Sequence, residues 1–225
     1  MERGTPSQLG AATGIIAVIL MLVGSAIFGS DIPKADDSAE EWRIFFVDHQ
    51  DRAQTGLTIV GIGLFFFVWF LGSLRDAIGA AEGGGRRLAS IAHGGGIVGV
   101  SALVAGVAAL LTAAFHPQEA DPTVTRALAD FAALLAAPAA AGFTALFAAT
   151  AVAGYRREAL PAPVAGLSAL AAIGQLFAYP VAATDTGAFA PDGALGFWAP
   201  VITFAVAVLA RSGTLASRAG RPETT

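Results

Sequence analysis

The sequence predicts an all-α polytopic membrane protein: a bundle of six transmembrane helices with a short amphipathic helix on its outer side. Three observations carry that reading. Of 225 residues, 55% are hydrophobic and 13% charged, with a mean hydropathy of +0.67. Soluble domains carry about 25% charged residues, and so little solvated surface cannot cover this much apolar surface in water. The second observation is the stretch 55–74, TGLTIVGIGLFFFVWFLGSL, which holds no charge. At about 1.5 Å per helical residue it reaches about 30 Å, the thickness of a bilayer's hydrocarbon core. Third, charged segments close it on both sides (48–52, 75–76), and five further stretches repeat the pattern. The 27 glycines fit the same picture, because helices in lipid pack through small residues. With no cysteine, disulfides, thiolate metal sites and thiol nucleophiles are excluded.

Taken in order, residues 1–8 form a polar tail carrying Arg3, and 9–29 form the first span. A signal-peptide core runs about 7–15 apolar residues behind a clearly basic tail. This stretch is longer and its tail weaker, so it is expected to be retained. Residues 30–54 are hydrophilic and acidic. Within them Ser38 and Glu41 fit a capping box, and Trp42, Phe45, Phe46 and His49 recur at i, i+3, i+4, i+7 on one helical face. Asp48 and Arg52 are spaced to pair at i, i+4. The product expected is an amphipathic helix over 38–52 lying in the headgroup region, with Trp42 at the interface.

The second span, 55–74, leads into a polar connection containing Gly83, Gly84 and Gly85. The third, 88–115, is long enough to require tilt. His93, Gly94, Gly95 and Gly96 predict a loose start, while Gly95 and Gly99 make a G-x-x-x-G step continued by Ala102 and Gly106. His116-Pro117 ends it. Asp121-Pro122-Thr123 reads as a turn and helix start, and the fourth span, 128–155, should kink at Pro138. The fifth, 161–183, contains Gln175 and Tyr179-Pro180. A loop over 184–193 with Pro191-Asp192-Gly193 precedes the sixth, 194–210, which starts near Trp198 and Pro200. The transmembrane domain thus covers 9–211, with a polar, basic tail over 212–225.

Six spans put both termini on one side. That side receives Arg3, Arg75, Arg86, Arg87, Arg156, Arg157, Arg211, Arg218 and Arg221, nine of the 13 basic residues, and only five of the 17 acids. Lys34, Arg43, Arg52 and Arg126 fall on the other. The positive-inside rule makes the arginine-rich side cytoplasmic, in the plasma membrane of a bacterium.

Ionisable and polar groups within spans are the default places to look for chemistry. His93 lies near the inner end of the third span, either facing a cavity or donating to a backbone carbonyl at the boundary, the blander and favoured reading. Arg126 and Asp130 are spaced to pair at i, i+4. Gln175, the most polar residue well inside a span, serves either a pathway or interhelical hydrogen bonding. His49 and His116 fall on the outer side near Asp48, Asp51, Glu119 and Asp121, a composition that can hold a divalent ion, but no ligand spacing such as H-E-x-x-H joins them. The histidines lie at depths unsuited to b-type haem. No Walker loop, dinucleotide fingerprint or G-x-S-x-G is present, and Ser101 and Ser168 lack a membrane histidine at matching depth. No cofactor, metal or catalytic residue is therefore assigned.

The run Phe45-Phe46-Val47-Asp48-His49-Gln50-Asp51-Arg52, the exit Trp69-Phe70-Leu71-Gly72-Ser73-Leu74-Arg75, and Gly187-Ala188-Phe189-Ala190-Pro191-Asp192-Gly193 resemble a group of small six-span actinobacterial membrane proteins of unknown function. The resemblance spans about residues 9–212 and implies a fold and a location, with no catalytic residue to carry over. The expectation is a non-enzymatic structural or regulatory bundle. Its partners are the lipid bilayer and either a second copy or another membrane protein docked on the acidic segment 31–51; no nucleic acid is expected. The alternative is a small cation- or proton-coupled transporter or channel using Pro138, Pro200 and the glycines at 94–96 as helix breaks.

Overall fold

Long apolar runs with few charges favour helix, which pairs each backbone N–H with a carbonyl of its own segment. The computed structural model describes residues 6–29, 31–34, 36–83, 85–157, 161–176 and 199–219, and no strand occurs among them. The helices are α1 (Pro6–Phe28), α2 (Ala39–Asp48), α3 (Gln50–Glu82), α4 (Arg87–Ala113), α5 (Pro122–Leu134), α6 (Ala136–Arg157), α7 (Ala162–Leu176) and α8 (Ala199–Ala219). Among the described residues, four stretches are long and apolar enough to cross a membrane: Gly10–Phe28, Gln50–Glu82, Arg87–Ala113 and Pro122–Arg156. Ala162–Leu176 and Val201–Gly213 are shorter apolar helices.

The packing follows a ring. α1 lies on α3, α3 on α4, α4 on α6, α6 on α7, α7 on α8, and α8 returns to α1. α2 and α5 pack together at one end, called here the cap end; the α3–α4 connection marks the opposite, hairpin end. Two seams of the ring are glycine-backed. A Cβ placed on Gly24 would come within 2.6 Å of the Gly56 carbonyl oxygen on α3, and one on Gly95 within 2.6 Å of the Gly142 carbonyl oxygen on α6. The predicted G-x-x-x-G edge therefore exists, and α6 occupies it: Gly99 faces Phe143 and Gly106 approaches Ala132.

Inside the ring, α3, α6 and α8 are not successive members of it, yet their aromatic rings meet at its centre. Phe204 lies 5.1 Å from Phe67, 4.9 Å from Phe143 and 5.7 Å from Phe147, and Phe67 sits 6.1 Å from Phe143 at 81°. Edge-to-face contacts of this kind satisfy the ring quadrupoles. Phe67, Phe70, Leu71, Phe143, Leu146 and Phe147 are all buried here.

Several expectations need correction. The amphipathic segment does not run over 38–52 as one helix. It ends at Asp48, and His49 (φ −122°, ψ 25°) separates it from α3. That turn removes the i, i+4 geometry expected of Asp48 and Arg52. Arg52 is drawn instead to Asp31, 3.8 Å away, and to the Phe45 ring, 5.8 Å away. Nor does α2 present its apolar face to headgroups: Trp42, Phe45 and Phe46 are buried with Ala53, Ala113, Ala114 and Ala129 in a second core under the cap. The start of the third span is not loose, since α4 runs unbroken from Arg87 through the glycines at 94–96, which close packing against α3 and α6 requires. α8 continues to Ala219 rather than ending at 210. Residue 30, residues 1–5, and the expected features at Gly84, Tyr179-Pro180, 184–193 and Trp198 lie outside the described residues.

Other expectations hold. Ser38 Oγ accepts from the Glu41 amide (3.2 Å) while the Glu41 carboxylate accepts from the Ser38 amide (2.7 Å). Asp121 Oδ1 accepts from Thr123 N at 2.7 Å, with Pro122 in the first turn of α5. The break near Pro138 falls at Leu135, between α5 and α6. A proline has no N–H for the carbonyl four residues back and crowds that turn, so the ladder gives way there rather than at the proline itself.

Candidate functional site

The polar groups singled out from the sequence do not converge. Asp130 pairs with Arg126 at 2.8 Å as spaced, and Arg126 also donates from Nη1 to the Asp37 carbonyl, tying α5 to the segment before α2. His49 Nδ1 lies 3.1 Å from the Phe45 carbonyl oxygen, and its ring rests on Phe45. His116 is exposed beside Phe115. Among the described residues, no group of three or more histidine, aspartate or glutamate side chains could hold a metal ion.

Glutamines, rather than histidines, organise the cap end. Gln50 Nε2 donates to the carbonyls of Ala114 (3.2 Å) and Phe115 (3.0 Å), and Gln54 Nε2 to that of Ala114 (2.7 Å). Gln118 Nε2 in turn reaches Gln50 Oε1 at 3.2 Å. These bonds satisfy the carbonyls left over at the end of α4. Electrostatics reinforces the two flanking caps. Hydrogen bonds from Ser38 hold the Glu41 carboxyl below its ordinary range, and the Thr123 amide does the same for Asp121. The hydrogen bond from Arg43 likewise lowers Glu40.

His93 is half-buried on α4, and its Nδ1 is buried without a hydrogen-bond partner. The donation to a backbone carbonyl expected of it is not made by that nitrogen. Gln175 is buried in the last turn of α7, beside Gly174, which faces Thr203 of α8. The two residues sit on helices that do not adjoin, so they form no common site.

What the sequence reading passed over is a polar joint at the hairpin end. Arg211 is only 2% exposed, and its Nη2 approaches the Thr150 carbonyl of α6 at 3.4 Å. Ser212 is buried and abuts Gly14 of α1. The hydroxyls of Thr150 and Ser212 are buried without hydrogen-bond partners, which costs about 1–3 kcal/mol each. Three ring helices thus meet around a guanidinium and two hydroxyls. Hydropathy ends the sixth span at Ala210 because Arg211 is charged. The helical spacing from Phe204 through Ala207 and Val208 to Arg211 and Ser212 is the signal that finds the joint. No nucleophile–base pair forms here: His93 is on α4, across the ring from α8.

Comparison of the chain with protein-family models, curated proteins and solved structures finds no match.

Proposed function

We propose that this chain is an integral protein of a bacterial plasma membrane, crossing the bilayer six times with both termini cytoplasmic. It acts as a sealed, non-enzymatic bundle with a structural or regulatory role. The observation that carries the sealed reading is the aromatic cluster of Phe67, Phe143, Phe147 and Phe204, which fills the ring where a conduction path would run. α7 and α8 close the ring between α6 and α1, and Leu170, Ile173, Ile202, Val206 and Leu209 are exposed on them, which supports their crossing lipid with the other four. The arginine distribution orients the hairpin end inward, and the resemblance to six-span actinobacterial proteins is consistent with this topology.

The experiment is an ion-flux assay in proteoliposomes loaded with pH- and cation-sensitive dyes. The sealed reading expects flux equal to protein-free vesicles. A small transporter or channel is the second reading, favoured by the polar residues buried in α7 and α8, Gln175, Arg211 and Ser212. Protein-dependent flux that disappears in Gln175→Leu would establish it instead.

A further inference from the structure

The hairpin end carries a recess of about 470 Å³ between α3 and α4, lined by Arg75, Asp76, Gly79, Ala80, Gly83, Arg86 and Ala89. Both arginines are exposed. Arg86 holds a left-handed backbone conformation (φ 38°), unusual for a residue with a side chain, and its Cγ and Nε lie over Gly79, 3.8 and 3.9 Å from where a Cβ on that glycine would be. The neighbouring acid is otherwise engaged: the Glu82 carboxylate accepts from the amides of Leu88 and Ala89, both at 2.9 Å, and so caps α4. Asp76, exposed on the next position of α3, lines the recess as well, so the two arginines leave it with a formal excess of one positive charge.

An apolar track continues from this recess. On α3, Val68 stands two turns before Arg75 on the same stripe and is 38% exposed; Gly72, two turns before Gly79, opens on empty space. On α4, Ser90, His93, Ile97 and Val104 recur at i, i+3, i+7 and i+14, one face by helical periodicity, with Arg86 at the N-cap just before the helix, and Val104 is 49% exposed. A soluble phosphate would need only the arginines. Two guanidiniums heading a lipid-facing apolar furrow match a molecule with an anionic head and acyl tails.

We propose that the α3–α4 furrow is a binding site for an anionic phospholipid of the inner leaflet, its phosphate seated by Arg75 and Arg86 over Gly79 and one acyl chain lying along Val68, Gly72, Ile97 and Val104. Basic recesses between membrane helices on the cytoplasmic side are suited to such headgroups. The inference rests on the membrane reading of the bundle.

The test is native mass spectrometry of the full chain in detergent, titrated with dioctanoyl-phosphatidylglycerol, dioctanoyl-phosphatidylcholine and inorganic phosphate. Phosphatidylglycerol is expected to bind more tightly than phosphatidylcholine, and inorganic phosphate not at all. At about fivefold per arginine, the Arg75→Gln, Arg86→Gln double variant should weaken phosphatidylglycerol about 25-fold, and zwitterionic phosphatidylcholine by much less. Gly79→Leu, which keeps both arginines and fills the recess, should lose the preference too. Equal binding of the two lipids, or a preference that survives in both variants, overturns the site. Phosphate binding as tightly as phosphatidylglycerol overturns the lipid assignment. Retention of neither lipid would count against the membrane reading as well.

Discussion

The seam between α4 and α6 and the aromatic centre between α3, α6 and α8 solve one problem by opposite means. At the seam, side chains have been removed, so two backbones touch: Gly95 and Gly99 face Gly142. At the centre, backbones stand apart and the largest side chains fill the gap. In lipid, burial of apolar surface gives little driving force between helices, and association rests on packing. The comparison teaches that a backbone seam has no side chain to yield, whereas a cluster of rings can reorient. Substitutions should therefore be punished most at the smallest residues.

The largest effect is expected from Gly142→Leu. A Cβ there already falls within 2.5 Å of the Gly95 carbonyl oxygen, so the helices must separate, at a cost of about 3 kcal/mol or more. Thermal unfolding by circular dichroism in detergent should show a folded state lost or strongly destabilised; a Tm like that of the parent would show the seam to be loose. The centre sharpens the contrast. Phe67→Ala should destabilise by about 3 kcal/mol through the cavity left among Phe70, Phe143 and Phe204. Phe143→Leu, which keeps most of the volume, should cost less than about 1.5 kcal/mol. If Phe143→Leu proved as damaging as Gly142→Leu, the distinction between the two regions would not stand.

A smaller effect belongs to the cap. Trp42→Ala with Phe46→Ala empties the second core and should speed proteolysis within 31–50 while α1 and α3 to α8 remain protected; unchanged cleavage would mean α2 is not docked. The pH dependence is smaller again. The Glu41 carboxyl titrates below its ordinary value near 4.5 because Ser38 donates to it. A depressed carboxylate contributes stability that is present above its unfolded pKa and lost as pH falls through the folded one. Protection factors of the α2 amides should thus be flat above about pH 5 and fall below about pH 4; Glu41→Gln should abolish that fall, and Ser38→Ala, which keeps the backbone donor, should only lessen it. The smallest effect is expected at Arg43 and Glu40: the pair is solvent-exposed, and replacing both with alanine should shift Tm by no more than the scatter of the measurement.

Much of this architecture is readable from local pattern. Ser38 with Glu41, Asp121 before Pro122, and the Gly95–Gly99 step are short-range signals, and each produces the feature it implies. The failures come where tertiary contact decides. Trp42 reads as interfacial because amphipathicity shows that an apolar face exists and not what covers it; α3, α4 and α5 supply the cover. Gly94, Gly95 and Gly96 read as loose because glycine has a low helix propensity, yet close helix approach selects it. Arg211 reads as the start of a tail because its charge ends the hydropathy window, while the helix and its buried face run on past it. The polar joint was less legible than the fold: helical spacing puts Arg211 on the buried face of α8, but Thr150 lies 61 residues away and no local spacing pairs the two.

Accessibility of single engineered cysteines in intact cells tests the topology most directly, on a chain that has none of its own. Thr186→Cys, in the connection before α8, should react with a membrane-impermeant maleimide from outside, and Thr225→Cys should react only after permeabilisation. Protection of residue 186 from the exterior, or labelling of residue 225 without permeabilisation, would contradict six crossings with both ends in the cytoplasm.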